Sequence, residues 1–110
     1  MRRGDGEMEK ITSQSQFEQV ISEGKTIVVF SADWCPDCVF IRPFMPDVEK
    51  KYSEYRFYLV ERDENIDLIT SLDIFGIPSF IAFENGQEIG RFVNKDRKTQ
   101  AQIEAFIEGL

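Results

Sequence analysis

Histidine is absent from all 110 residues. That removes His-based general acid–base chemistry, catalytic triads built on imidazole and most transition-metal sites in one step. Basic residues are in deficit: 13 Lys and Arg against 20 Asp and Glu leave a net charge of −7. Such a balance disfavours nonspecific binding to nucleic acid or to an anionic membrane surface. No apolar run approaches the ~18–20 residues that cross a bilayer. Neither a nucleic acid nor a membrane is therefore expected as a partner. Cysteine is scarce as well, with Cys35 and Cys38 alone. A small secreted domain held by disulfides carries several bridges between distant segments. One bridge across Cys35 and Cys38 closes only a short ring and constrains the unfolded chain little.

What the chain does hold is a core. It is 42% hydrophobic with ten Phe, which excludes disorder as its main state, and its length suits one domain. Residues 1–7 are polar and aperiodic and read as a flexible extension, with the domain spanning residues 8–110. The opening MRRGDGEMEK lacks the apolar core of a secretory signal. A cytoplasmic, monomeric protein is expected, in a compartment where a disulfide serves redox chemistry rather than structure.

Apolar periodicity orders the elements as α-β-α-β-α-β-β-α, with a short strand at Glu9–Thr12 in front. Ser13 and Gln16 resemble a capping box that opens a helix bearing Phe17, Val20 and Ile21 and ending near Gly24. The continuous run Thr26–Ser31 suits a strand covered on both faces. Cys38, Ile41, Met45, Val48 and Tyr52 then follow helical spacing, with a kink expected at Pro43 and Pro46. Arg56–Val60 reads as a strand. A helix over Asn65–Leu72 is expected to turn Leu68, Leu72 and Phe75 inward. Ser79–Phe83 and Gln87–Val93 flank Asn85-Gly86, a strong hairpin signal because a type I′ turn needs positive φ at both central residues. Thr99 and Gln102 form a second capping box before Ile103, Phe106, Ile107 and Leu110. Alternating strands and helices imply an α/β fold, with a mixed central sheet flanked by helices on both faces.

A strand, then CxxC, then a long helix reads as a dithiol site. Cysteines at i and i+3 of one turn lie on the same side and can reach disulfide geometry. Cys35 falls at the helix start, where unpaired N–H groups and the macrodipole favour a thiolate, so it is the expected attacking sulfur. Pro36 fits just inside the helix, where a missing N–H costs nothing. Cys38, further in, is the expected resolving thiol. A zinc half-site is the competing reading, but two cysteines without histidine need a second chain or carboxylates to complete it. Trp34 is expected as a partly exposed wall beside Cys35. Asp33 and Asp37 complement the helix dipole, oppose a nearby thiolate by charge, and offer a carboxylate as proton acceptor. Arg91, Lys95, Arg97 and Lys98 read as a solvated basic patch.

Together these residues resemble the thioredoxin-like family. Trp34, Cys35 and Cys38 match its Trp-Cys-x-x-Cys, Pro43 its helix-kinking proline, and Gly76-Ile77-Pro78-Ser79 its Ile-Pro segment. The inner pair Pro36-Asp37 looks like the Cys-Pro-Asp-Cys of thioredoxin-related proteins. The resemblance covers about residues 9–110. It implies the thioredoxin-like fold and a cis Ile77–Pro78 bond facing the dithiol, with Trp34, Pro36, Asp37, Ile77 and Pro78 tuning the site or facing substrate.

The implied activity is that of a thiol–disulfide oxidoreductase. It would reduce protein disulfides, or mixed disulfides with low-molecular-weight thiols, through a Cys35/Cys38 dithiol–disulfide cycle. It would bind no cofactor and would be recharged by an electron donor of the thioredoxin-reductase type. The alternative is a noncatalytic interaction or chaperone module whose cysteines are incidental. Three positions depart from the family. Val29 stands where a buried Asp is usual, Leu59 where its Lys partner is usual, and Asn94 where a glycine usually follows the last strand. Without that Asp, the proton of Cys38 is expected to pass to Asp37 or to water.

Overall fold

The structure, a computed structural model, describes residues 8–110; the expected extension at residues 1–7 lies outside the described residues. Five strands form one sheet in the order β1-β3-β2-β4-β5. They are β1 (Glu9–Ile11), β2 (Lys25–Ser31), β3 (Arg56–Glu61), β4 (Ser79–Glu84) and β5 (Gln87–Phe92). β1 and β2 run parallel to β3, while β4 runs antiparallel to both β2 and β5. The helices are α1 (Gln14–Ile21), α2 (Pro36–Ile41), α3 (Met45–Lys51), α4 (Ile66–Ser71) and α5 (Gln100–Glu108). This is the mixed sheet flanked by helices that the sequence implies.

β2 lies at the centre and explains its own composition. Its residues from Thr26 to Ser31 are all buried because both faces of the strand are covered. Ile27 and Val29 enter one core cluster with Ile41, Met45, Val48, Ile103 and Ile107, which belong to α2, α3 and α5. Val28 and Phe30 enter the other cluster with Phe17, Leu68 and Ile69, which belong to α1 and α4. Alternation along one strand thus assigns the helices to two opposite faces.

Local signals largely explain the element ends. Asn85 and Gly86 have φ of 51° and 87°, as the tight β4–β5 hairpin demands. Thr99 and Gln102 form the full capping box on α5. At α1 only half of that motif forms. Ser13 accepts from the Gln16 N–H at 3.0 Å, but Gln16 Oε1 takes the N–H of Thr12, one residue earlier than the box requires. The long helix after the cysteines is divided rather than merely kinked. A 3-10 turn at Arg42–Phe44 separates α2 from α3, where Pro43 and Pro46 cannot donate to the ladder. The inward stripe survives the break, since Cys38, Ile41, Met45, Val48 and Tyr52 are all buried.

Phe75 corrects the sequence expectation. It is 68% exposed rather than packed inward. The chain leaves α4 through Asp73 at φ 58°, so helical spacing no longer fixes the direction of residue 75. Ile74 is buried instead.

Val29 and Leu59 are register partners on β2 and β3. The two positions where the family places a buried ion pair therefore lie side by side, and both are apolar. Exchanging such a pair for well-packed apolar groups leaves nothing unsatisfied. Restoring only one charge should be harmful. Val29→Asp is expected to cost about 3 kcal/mol or more at neutral pH, because Leu59 offers no partner. The loss should shrink as pH falls, since a protonated carboxyl is cheaper to bury. Urea denaturation at several pH values measures both effects.

Candidate active site

Cys35 is the N-cap residue of α2 and Pro36 opens the helix. The Cys35 carbonyl accepts the N–H groups of Cys38 and Val39, both at 3.0 Å, which places the two cysteines one turn apart on the same side. Both are free thiols. Cys35 keeps 7% of its surface and Cys38 none, so the outer sulfur is the one a partner can approach. Burial pushes the Cys38 thiol up to about 11, and the adjoining Cys35 adds to the rise. The Ser31 hydroxyl, hydrogen-bonded to Cys38, acts in the opposite sense.

Across from the dithiol, the Ile77–Pro78 bond is cis, as the family resemblance implies. The Ile77 carbonyl oxygen lies 4.0 Å from Cys35 Sγ. Pro78 is buried beneath it. Gly76, just before, is pressed against the loop between β5 and α5. A Cβ there would lie 2.3 Å from the Asn94 carbonyl oxygen and 2.7 Å from the Lys95 nitrogen. Only glycine lets the two backbones approach so closely.

Asn94 takes the place of the family glycine by turning its side chain into its own loop. Its Oδ1 accepts from the Asp96 N–H and from Lys98 Nζ, each at 2.9 Å. Lys98 corrects the reading of a solvated patch: it is 1% exposed, its ammonium bound to the Asp96 and Asn94 carbonyls as well. Burial lowers its proton affinity, while Asp96, Cys38 and Asp37 favour its charge. Arg97, next to it, donates to Asp37 Oδ1 at 2.8 Å and lies 4.4 Å from the Phe40 ring centroid. The carboxylate read from sequence as a proton acceptor is thus held by a guanidinium. Asp33 is held likewise, by Arg42 at 2.6 Å.

Trp34 is 62% exposed and walls the site, with Nε1 donating to Asp63 at 2.6 Å. Beside it lies a cleft of about 260 Å³ lined by Trp34, Arg62, Ile66, Ile69, Phe75 and Ile77 among others. All seven residues singled out from the sequence, from Trp34 to Cys38 together with Ile77 and Pro78, therefore meet around one dithiol. Sequence reasoning did not single out Ser31, Glu61 or Asp63. Their positions at the ends of the parallel strands β2 and β3 are the signal that could have found them, since open α/β sheets build sites beyond those ends.

Among the described residues, no group of three or more metal-ligating side chains occurs, and no helix is long and apolar enough to cross a membrane. Paired thiols at a helix start, facing a cis-proline segment on a mixed five-stranded sheet, define a thiol–disulfide oxidoreductase of the thioredoxin fold. The thioredoxin family model matches residues 8–109, and the chain belongs to that family. It is 32% identical over 111 residues to thioredoxin H9 of Arabidopsis thaliana, covering 96% of this chain and 79% of the relative. It is 33% identical over 106 residues to the thioredoxin of Equus caballus, covering 94% of this chain and 98% of that one. The solved thioredoxin of Trypanosoma brucei brucei shares the fold, with a TM-score of 0.84 at 22% identity over 99% of this chain and 95% of that one.

The closeness of Gly76 to the Asn94 backbone can be tested. Gly76→Ala should force the loop away and lower stability by about 1–3 kcal/mol, the usual range for overpacking. Urea denaturation reads the loss, and faster alkylation of Cys35 by iodoacetamide reads the opened rim.

Proposed function

We propose that the protein reduces disulfides, with Cys35 as the attacking and Cys38 as the resolving sulfur. Its substrates are protein disulfides or mixed disulfides with small thiols. The Cys35 thiolate attacks one substrate sulfur, forming a mixed disulfide and expelling the other sulfur as a thiolate. Cys38, deprotonated, then attacks Cys35 Sγ, forming the Cys35–Cys38 disulfide and releasing the second substrate sulfur. Two electrons pass to the substrate. The observation that carries these roles is the difference in access, with Cys35 at 7% and Cys38 at 0% exposure.

The remaining roles follow from position. Trp34, Ile77 and Pro78 form the surface against which substrate backbone rests, and Pro36 and Asp37 shape the turn between the sulfurs. The dithiol is itself the redox group, and no separate cofactor is required. A dithiol donor of the thioredoxin-reductase type recharges it, as in the family. The protein works as a monomer in the cytoplasm, where thiols are kept reduced. A strong oxidant needs an unusually stabilised thiolate in its reduced form. Here Arg42 and Arg97 are committed to Asp33 and Asp37, which supports a reducing couple instead.

Two measurements test this. Cys38→Ser should accumulate mixed disulfides with partners, whereas Cys35→Ser should accumulate none. Equal trapping by both variants would reverse or abolish the assigned roles, and no trapping by either would favour a noncatalytic module. Equilibration with glutathione redox buffers should place the couple near thioredoxin. A pair that stays reduced in strongly oxidising mixtures would refute the direction.

A further inference from the structure

We propose that Glu61, acting through the Ser31 hydroxyl, receives the proton that Cys38 loses when it resolves a mixed disulfide. This rests on the resolving role given to Cys38 above. Resolution requires a base, because a thiol held near 11 is scarcely ionised at neutral pH. The family position for that base is Val29, and Asp37 is bound by Arg97. Lys98 lies near the sulfurs but bears the wrong charge.

Glu61 lies on the required face. Along β3, Phe57 and Leu59 point into the cluster shared with α2, α3 and α5, and strand alternation brings Glu61 to the same side. Along β2, Ile27 and Val29 do the same, which brings Ser31 to that side too. Ser31 and Glu61 are register partners on adjacent parallel strands whose backbones run about 4.8 Å apart, so their side chains leave the sheet side by side. Ser31 in turn contacts Cys38. A hydroxyl both donates and accepts, so it can pass a proton from sulfur to carboxylate.

Glu61 is 7% exposed at the mouth of the sheet. Burial foremost, then the negative charges of Asp33, Asp63 and Glu64, hold its carboxyl above the usual carboxylate range, with Lys10 on β1 opposing them. A carboxylate so placed is a stronger base than one on the surface. In the step, the Cys38 proton moves to Ser31 as the Ser31 proton moves to Glu61. The Cys38 sulfur bonds to Cys35 Sγ, and the Cys35–substrate bond breaks. The substrate thiolate leaves and is protonated by solvent, to which Glu61 returns its proton. Glu61 acts through another group and is a positioning residue by that measure.

Stopped-flow reaction of the reduced protein with 5,5′-dithiobis(2-nitrobenzoate) separates the steps, since attack by Cys35 and resolution by Cys38 each release one coloured thiolate. Glu61→Gln should leave the first phase unchanged and slow the second by about tenfold near neutral pH. The deficit should narrow as pH rises toward about 11, where Cys38 ionises without help. Glu61→Asp should recover part of the rate, and Ser31→Ala should slow the second phase with no further loss in the double variant. An unchanged second phase in Glu61→Gln overturns the proposal. So does an equal deficit at every pH, or a deficit shared by both phases, which would mark a purely structural role. A pH-dependent deficit in Asp37→Asn with none in Glu61→Gln would return the role to Asp37. If Cys38→Ser forms no stable adduct at Cys35, the resolving role itself fails, a result distinct from all of these.

Discussion

A thiol sealed from water is reluctant to ionise, and in this protein that thiol must nevertheless become a nucleophile. Cys38 has no exposed surface, and its burial outweighs the hydrogen bond from Ser31. Much of the site can be understood from that conflict. Burial protects the resolving sulfur from stray oxidants and keeps it within reach of Cys35 alone. It also makes the timing of deprotonation a property of neighbouring groups. Those neighbours come from β2, β3 and the β5–α5 loop, so the sheet order places chemistry as well as packing.

The cis-proline segment and the β5–α5 loop form the opposite wall. Gly76 binds the two together, because no side chain fits between its Cα and the Asn94 backbone. Family members usually carry a second glycine in that loop. Asn94 instead folds its amide inward onto Asp96 and Lys98, so the loop gains hydrogen bonds without intruding on Gly76. The ammonium of Lys98 then sits within the loop with its oxygen partners satisfied, which makes its burial tolerable.

Local sequence carried the fold far. The β2 run, the Asn85-Gly86 turn and the Thr99 box each act within a few residues, and each appears where expected. The dithiol was legible for the same reason, since Cys35 and Cys38 are one helical turn apart. The errors concern longer reach. Phe75 continues a helical spacing on paper, yet the left-handed Asp73 ends the helix first. Lys98 looks like one of four surface cations until the fold closes the loop over it. Glu61 lies one residue past the strand expected at Arg56–Val60, and only the pairing of β3 with β2 brings it beside Ser31. Arg97 and Asp37 are sixty positions apart, so no local pattern could join them.

Charge around the site follows from these distant pairings. From sequence, Asp33 and Asp37 are two negative groups beside a reactive sulfur and should oppose its thiolate. In the fold each carboxylate meets an arginine, and opposite charges a few ångströms apart largely cancel at longer range. Both pairs are solvent-exposed, so their worth to stability is small. Their effect is electrostatic: the acidic chain of net charge −7 presents a nearly neutral collar to the dithiol. Glu61 stands apart from this cancellation. Burial is the first cause of its raised affinity for a proton, and the residual negative charge of Asp33, Asp63 and Glu64 adds to it. A collar neutral at Cys35 and a basic carboxyl beyond Ser31 make different demands on charge. The fold meets both by pairing Asp33 and Asp37 with arginines and by burying Glu61 at the end of β3.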